Sequence, residues 1–267
     1  MDHSTIPRSR FVVTEALLSQ LDVVTDIALS SLAVFDPAWD WRFPNRLIHP
    51  SEHRLLTRQK FHNFIADKNS KWRVFIAQET ATGATPSKTV GFAVWDVSNM
   101  QSRTAALKTD RQDRQTARRS PDLVLDSTAK PPTSPHHEKD GHPQRLAAWA
   151  ETTSKARREL FDEAFGNRYF SLQILAVDPQ FFRQGVATLL CNWGIKMAKL
   201  KNMSIALFAS PQGRLFYPTL GFEAISTVEV QASNDEAIQL IAMAYDSRSR
   251  ISAQTTRENM SLPTQQH

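Results

Sequence analysis

Apolar residues change their spacing along the chain, and each spacing predicts a type of secondary structure. Short apolar runs bounded by turn residues predict strands. These runs cover residues 11–13, 72–77, 90–97, 169–177, 203–208, 222–231 and 237–245. Apolar residues three and four apart predict helices that begin at Ser19, Ser51, Leu146 and Gly185, with a short one at 213–219. The chain is therefore expected to mix strands with helices.

The stretch from Ser171 to Phe222 carries the most informative pattern. Its opening run, L-Q-I-L-A-V, predicts a strand that Asp178-Pro179 ends as a turn. Gly185 then opens a helix, because apolar residues follow it at alternating steps of four and three. The order is strand, glycine-bearing loop and helix N-terminus.

That order predicts an anion-binding site. The first turn of a helix leaves backbone N–H groups without partners, and the helix dipole adds positive potential there. Gly185 lets the backbone approach a phosphate closely, and Arg183 adds a fixed charge. The spacing fits neither a Walker A loop nor a dinucleotide-binding G-x-G-x-x-G turn. A nucleotide with a pyrophosphate remains the expected ligand.

Two motifs resemble those of the GNAT N-acetyltransferases. The run V-D-P-Q-F-F-R-Q-G-V-A-T-L-L is similar to the family's acyl-CoA motif, Q/R-x-x-G-x-G/A, in which Gly185 and Ala187 match and Phe182 replaces the usual Gln or Arg. The later run G-R-L-F-Y-P-T-L-G-F resembles the family's next motif, with Tyr217 as its tyrosine. The two motifs stand in the family's order, which is more specific than either motif alone.

The resemblance implies an α/β fold with a mixed, mostly antiparallel central sheet, flanked by helices and splayed at the acyl-CoA site. It implies acetyl-CoA as cosubstrate, with the pantetheine arm along the strand and the pyrophosphate at the helix start. The residues it assigns to acetyl-CoA are Leu175, Ala176, Val177, Arg183, Gln184, Gly185, Val186, Ala187, Thr188 and Ser210. Tyr217 is implied to be the general acid that protonates the departing thiolate.

A general base is not identified by the sequence. The motif strand offers Gln173 where many family members have a glutamate, and an amide cannot take a proton. Four residues are candidates by residue type only, and none of them is preferred: His62, Asp96, Glu163 and Asp178.

The domain organisation follows from composition. Residues 1–246 are expected to form one GNAT-like domain, interrupted by a polar, proline-bearing insert at 98–144 that is predicted to be disordered. The tail at 247–267 is predicted to be disordered as well. The insert contains residues of the types that bind metals, and these are interpreted as solvated, so no metal site is expected. Its arginines are interpreted as a solvated surface, so no nucleic-acid binding is expected. The residues of both groups are His136, His137, Glu138, Asp140, His142, Arg111, Arg114, Arg118 and Arg119.

Length, charge and cysteine content limit the classes of protein to which the chain can belong. The chain has 267 residues, a formal net charge of +5 and one cysteine, Cys191, so no disulfide can form within it. A buried structural role is expected for this thiol. No secretory signal and no membrane span are expected, which predicts a cytoplasmic protein with a nuclear location left open. The oligomeric state is not predicted.

The aromatic run F-D-P-A-W-D-W-R-F-P-N-R, residues 35–46, is read as a loop. It resembles the acceptor region of a fungal-looking subset of the family, or it fills the core with Trp39, Trp41 and Phe43. The predicted function is transfer of an acetyl group to a primary amine of a small molecule. Acetylation of a protein or peptide, and a non-catalytic CoA-binding module, are the alternatives.

Overall fold

The computed structural model describes residues 10–67, 71–80, 87–100, 139–233 and 236–247. Within them one seven-stranded sheet has the order β1-β2-β3-β4-β5-β7-β6. Its strands are β1 (Phe11–Glu15), β2 (Trp72–Glu79), β3 (Lys88–Asp96), β4 (Tyr169–Val177), β5 (Ser204–Ala209), β6 (Glu223–Val230) and β7 (Ile238–Asp246). Neighbouring strands are antiparallel except β4 and β5, which pair in parallel. The predicted mixed, mostly antiparallel α/β fold is confirmed.

Helices cover both faces of the sheet. They are α1 (Leu21–Phe35), α2 (Pro37–Arg42), α3 (Pro50–Ile65), α4 (Pro143–Arg157) and α5 (Val186–Lys201). Helix α4 continues through a π-helical turn, Arg158–Asp162, to Phe165. Helices α1 and α3 pack on one face through residues such as Val24 and Phe61, and α5 packs on the other through Leu190 and Cys191.

Helix α5 lies unusually close to the sheet because it carries Gly194. A β-carbon at this position would lie 2.2 Å from the ring of Trp95 on β3. Trp95 is fully buried, so the indole fills the space that a side chain would occupy. The contact fixes the distance between α5 and β3, and with it the position of the α5 N-terminus. Cys191 is buried on the same helix, as expected, and burial raises the pKa of its thiol to about 12.

The aromatic run is helical rather than a loop, which corrects the prediction. Asp36 begins α2 by accepting a hydrogen bond from the N–H of Ala38 at 3.0 Å, and Pro37 occupies the first helical position. Both residues are strong helix-start signals. Trp39 and Trp41 are buried on this short helix.

The predicted boundaries of the insert and the tail are too wide. Met100 is buried, Asp140 is fully buried, and α4 already begins at Pro143. The chain docks there on the end of α2, because the N–H of His142 donates to the carbonyl of Arg42 at 3.0 Å. At the other boundary, Ser247 is buried and donates to the carbonyl of Met203. Residues 101–138 and 248–267 lie outside the described residues.

One described stretch, Leu18–Phe35, is long and apolar enough to cross a membrane by length and composition alone. It contains α1, whose apolar face packs into the core against the sheet. Its charged residues Asp22 and Asp26 form ion pairs with Arg58 and Arg54 of α3. These contacts are those of a core helix.

Candidate functional site

The sheet opens between β4 and β5. Their parallel pairing covers only Tyr169 to Ser171 on β4, opposite Ser204 to Ala206. Beyond Ser171, β4 continues to Val177 with β3 on its other side. The two strands therefore separate after Ser171, about 20 Å of strand before Val177. The β4 backbone facing the gap, including the predicted Leu175, Ala176 and Val177, has polar groups that no strand pairs with.

A β-bulge in β4 lies in the same region. Val94 is opposite Ile174 and Trp95 is opposite Leu172, so Gln173 is the extra residue. Bulges re-aim side chains, and Gln173 is exposed and lines the gap. Its amide can donate and accept hydrogen bonds there but cannot act as a base.

The gap is part of a cavity of about 1120 Å³. It follows β4 from Ser171 at one end to Val177 and the start of α5 at the other. Helices α1, α2, α3 and α4 and the turns after β5 complete its walls. Drug-sized ligands occupy pockets of roughly 300–1,000 Å³, so this volume holds a large cosubstrate and a small acceptor together.

The α5 end of the cavity is built for an anion. Gly185 adopts a left-handed φ of 83° and Arg183 a φ of 62°, which turn the chain into the helix. The side-chain amide of Gln184 donates to the carbonyl of Gln180 at 2.9 Å and closes this loop. The amides that open α5 have no carbonyl four residues earlier within the helix, so Val186 to Thr188 present N–H groups to the cavity. The structure thus brings together the residues predicted for a pyrophosphate.

Phe182, the departure from the acyl-CoA motif, lies at the rim of this end. It is 40% exposed and contacts Phe35 of α1 edge-on, with ring centroids 5.4 Å apart. Both rings line the cavity, so an apolar rim replaces the polar side chain of the motif.

Tyr217 lies at the middle of the cavity on a 3-10 turn after β5, where the predicted short helix was expected. Burial raises the pKa of its phenol, and the nearby Cys191 and Asp36 raise it further. The phenol is therefore a neutral proton donor at physiological pH. A β-carbon on Gly213 would lie 3.0 Å from the Tyr217 ring and 3.8 Å from the hydroxyl of Ser210. Ser210 and Tyr217 are thus adjacent, with only glycine between them.

Asp36 supplies the carboxylate that the sequence did not identify. It is half-buried in the cavity wall, and burial raises the pKa of its carboxyl group. The N–H of Ala38, the charge of Arg42 and the hydroxyl of Ser210 each lower that pKa. The charge of Asp36 acts on Tyr217, and both residues line the cavity. The sequence analysis did not single out Asp36, because the run that contains it was read as a loop.

The four residues considered as bases lie elsewhere. Asp178 caps its turn and pairs with Lys88 at 3.1 Å, and Asp96 pairs with Lys71 and Arg157. These two residues lie outside the lining of the cavity, and so do His62 and Glu163. Residue type alone therefore did not identify a group in the cavity.

The aromatic run fills the core with Trp39, Trp41 and Phe43, as one interpretation predicted. Trp39 and Arg42 also line the cavity, and the part that they line is called the acceptor end; its role in binding an acceptor stays a prediction. The indole of Trp39 donates to His53 Nε2 at 3.1 Å, and His53 Nδ1 donates to Asp140 at 2.7 Å. All three residues are buried. The carboxylate from the predicted insert therefore fixes an aromatic wall of the cavity rather than lying in solvent. Within the described residues no group of three His, Cys, Asp or Glu has a metal-binding arrangement.

The acceptor end is also basic. Arg42, Lys60 and Arg157 line it, and Trp149 and Thr153 of α4 lie beside them. Arg157 donates to the hydroxyl of Ser171 at 3.0 Å. Burial and the charge of Arg42 lower the pKa of Lys60 to about 8, and burial lowers that of Arg42 to about 10.

No protein-family model matches the chain, and no curated protein matches it by sequence. Solved structures match its fold. A Drosophila melanogaster polyamine N-acetyltransferase matches with a TM-score of 0.53 at 10% identity, over 88% of this chain and 99% of that one. A mosquito arylalkylamine N-acetyltransferase-like protein matches with a TM-score of 0.51 at 15% identity, over 88% and 99%. An acetyltransferase from Corynebacterium glutamicum, described with the histone acetyltransferase HPA2, matches with a TM-score of 0.50 at 16% identity, over 88% and 96%.

These matches bear on the fold. They come from insects and a bacterium, and so give no support to the fungal-looking subset. At such low identity they extend to the backbone and not to individual side chains. The acyl-CoA motif and the tyrosine motif agree with the open strands, the Gly185 turn and the position of Tyr217. By its fold, the chain is similar to the GNAT-type N-acetyltransferases.

Proposed function

We propose that the protein transfers the acetyl group of acetyl-CoA to a primary amine of a small molecule. One observation carries this proposal. One cavity joins the unpaired edge of β4 and the start of α5 to Asp36 and Tyr217, which both line it and interact electrostatically. An anion site, a strand edge and an acid–base pair are the three parts that direct acetyl transfer needs.

The residues at the α5 end fit acetyl-CoA. The N–H groups from Val186 to Thr188 and the Arg183 side chain would hold the pyrophosphate, because both favour bound negative charge. The unpaired backbone of Leu175 to Val177 would hydrogen-bond the amides of the pantetheine arm. Ser210 lies farther along the cavity, between this arm and Asp36.

Asp36 is assigned the role of base. A primary amine is protonated at neutral pH and cannot attack until it loses a proton. Burial strengthens the carboxylate of Asp36 as a proton acceptor, and its position in the cavity wall lets it take that proton directly or through one water. The free amine then attacks the thioester carbonyl and forms the new C–N bond.

Tyr217 is assigned the role of acid. As the C–S bond breaks, the departing sulfur needs a proton, and the neutral phenol of Tyr217 supplies it. The nitrogen of the tetrahedral intermediate loses its second proton as the intermediate collapses, and the phenolate of Tyr217 takes it. Asp36 stays protonated until its proton exchanges with solvent. Burial keeps the proton on the phenol until the thiolate forms.

The acceptor end favours a small molecule over a peptide. Trp39 and Trp149 are part of its wall, together with Phe161 beyond α4. Helices α2, α3 and α4 each contribute residues to this end. Two structures with the same fold are described as acting on small amines, one on polyamines and one on arylalkylamines. Their descriptions support the same class of acceptor here.

The test is thiol release from acetyl-CoA in the presence of a panel of small amines and of a lysine-containing peptide. Asp36→Asn should lower kcat/KM by about two orders of magnitude, the usual contribution of a positioned base. Asp40→Asn is the matched control, because Asp40 lies on the exposed side of the same helix and pairs with Arg46. Thiol release with the peptide alone, or full activity of Asp36→Asn, would contradict the proposal.

A further inference from the structure

Two cations at the acceptor end, Arg42 and Lys60, form no ion pair among the described residues, although Asp36 acts on Arg42 electrostatically. Arg42 donates one hydrogen bond, from Nε to the carbonyl of Ala38 at 2.9 Å. The ammonium of Lys60 lies 5.8 Å from the ring of Trp39. Both line the cavity. Charges that are taken out of water without a counter-ion reduce stability, so such a pair is expected where a ligand supplies the anion.

Aromatic rings hold the guanidinium of Arg42 in place. Its central carbon lies 4.2 Å from the ring of Trp149, 5.5 Å from that of Trp39 and 5.6 Å from that of Phe43. Trp39 is itself fixed by the buried hydrogen bonds to His53 and Asp140. A guanidinium has five N–H donors, and for Arg42 only one of them has an acceptor among the described residues. The remaining donors form a preorganised fork for a carboxylate.

The nearby acids are engaged elsewhere. Asp40 pairs with Arg46, Asp96 pairs with Arg157, and Asp140 bonds to His53. Asp36 offsets part of the charge of Arg42 and interacts with Ser210. The acceptor end therefore carries net positive charge, which repels a second ammonium group and attracts an anion.

We propose that the acceptor is an amine whose far end carries a carboxylate, bound between Arg42 and Lys60. This inference rests on the proposed acetyl transfer and specifies its acceptor. Asp36 caps the start of α2 and Lys60 belongs to α3, so the carboxylate and the ammonium reach the cavity from different helices. The amine is thus directed to Asp36 and the carboxylate to Arg42 and Lys60. An α,ω-diamine would place its second ammonium against both cations.

The test compares acceptors that differ only at the far end. Thiol release from acetyl-CoA is measured with 4-aminobutyrate, n-butylamine and 1,4-diaminobutane, and with 4-(2-aminoethyl)benzoate against phenethylamine. In each set the carboxylate compound should have a kcat/KM at least tenfold higher than its uncharged or dicationic counterpart. Higher kcat/KM for the diamine would overturn the inference while leaving acetyl transfer established.

Variants of Lys60 test the contact itself. Lys60→Met should raise KM for 4-aminobutyrate at least tenfold with little change for n-butylamine, whereas Lys60→Arg should retain the preference. Lys196→Met, on an exposed part of α5, is the control and should change neither value. An unchanged preference in a folded Lys60→Met protein would refute the role of Lys60.

A binding measurement separates the two proposals. Ligands that bind only the folded state raise the melting temperature, so 4-aminobutyrate should stabilise the wild-type protein whether or not turnover occurs. Stabilisation that Lys60→Met abolishes, without thiol release from any amine, would refute the proposed function and keep the anion site. No stabilisation by 4-aminobutyrate, together with turnover of uncharged amines, would refute the anion site alone.

Discussion

Replacing Lys60 with methionine should make the protein more stable at neutral pH. Burial and repulsion from Arg42 lower the pKa of Lys60 from 10.5 to about 8 in the folded chain. Each unit of difference between the folded and unfolded states corresponds to about 1.4 kcal/mol. The full difference sets an upper limit of about 3 kcal/mol. Water in the cavity reduces that value, so we expect Lys60→Met to gain about 1–2 kcal/mol.

The pH dependence of this gain has a definite sign. Below pH 8 the lysine is charged in both states, and its destabilising effect is fully present. As the pH rises from 8 to 10.5, the folded protein loses this proton before the unfolded chain does, and the effect disappears. The other titratable groups that line the cavity are present in both proteins: Asp36, Arg42, Arg157, Arg183 and Tyr217.

The measurement is the free energy of unfolding from urea titrations at several pH values between 6.5 and 10.5, for wild type, Lys60→Met and Lys196→Met. The advantage of Lys60→Met should be constant up to about pH 8 and then shrink. In thermal unfolding it corresponds to roughly 2–8 °C. Lys196→Met should match the wild type. A Lys60→Met protein that is less stable than wild type at pH 7 would show that the ammonium has an internal partner, which would also remove the reason to expect a bound anion.

Four further outcomes are expected. Tyr217→Phe should lower kcat and kcat/KM by about two orders of magnitude in a thiol-release assay with an unchanged melting temperature, and a fully active variant would exclude the phenol as acid. Gly194→Ala should lower the free energy of unfolding by about 1–3 kcal/mol, because its β-carbon overlaps the Trp95 ring, and an unchanged urea midpoint would contradict this packing. Gly185→Asp should weaken acetyl-CoA binding in calorimetry more than Gly185→Ala, which shares the backbone strain but adds no charge, and equal affinities would argue against a phosphate there. A flexible linker in place of 101–138 should preserve the melting temperature, whereas deleting 98–144 should lower it by removing Asp140 from His53.

Features encoded within one local stretch were predictable. The strand, the turn at Asp178 and the helix after Gly185 depend on neighbouring residues, so periodicity and turn signals identified them. The αL conformation of Gly185 is a property of that position that only glycine adopts readily. The same local signals were sufficient for α2, because Asp36 and Pro37 mark a helix start, but the aromatic content of that run led to the prediction of a loop.

The boundaries of the insert show where composition misleads. Polar residues predicted disorder up to about 144, yet Asp140 is fully buried because His53, 87 positions earlier, requires its carboxylate. Composition averages over a window, whereas burial of one residue depends on one partner. Such a pairing has no signal in a single sequence.

The sequence by itself determined the order of the elements, the glycine turn and the tyrosine motif, because each follows from the preferences of adjacent residues. Only the tertiary structure decided which residues are proposed as base and acceptor site, and the charge around them. Asp36 interacts with Ser210 and Tyr217, and Arg42 stacks on Trp149, and all these partners are far away along the chain. Those contacts form because the sheet opens after Ser171 and the helices close over the gap, and the backbone geometry of that opening is a collective result of packing.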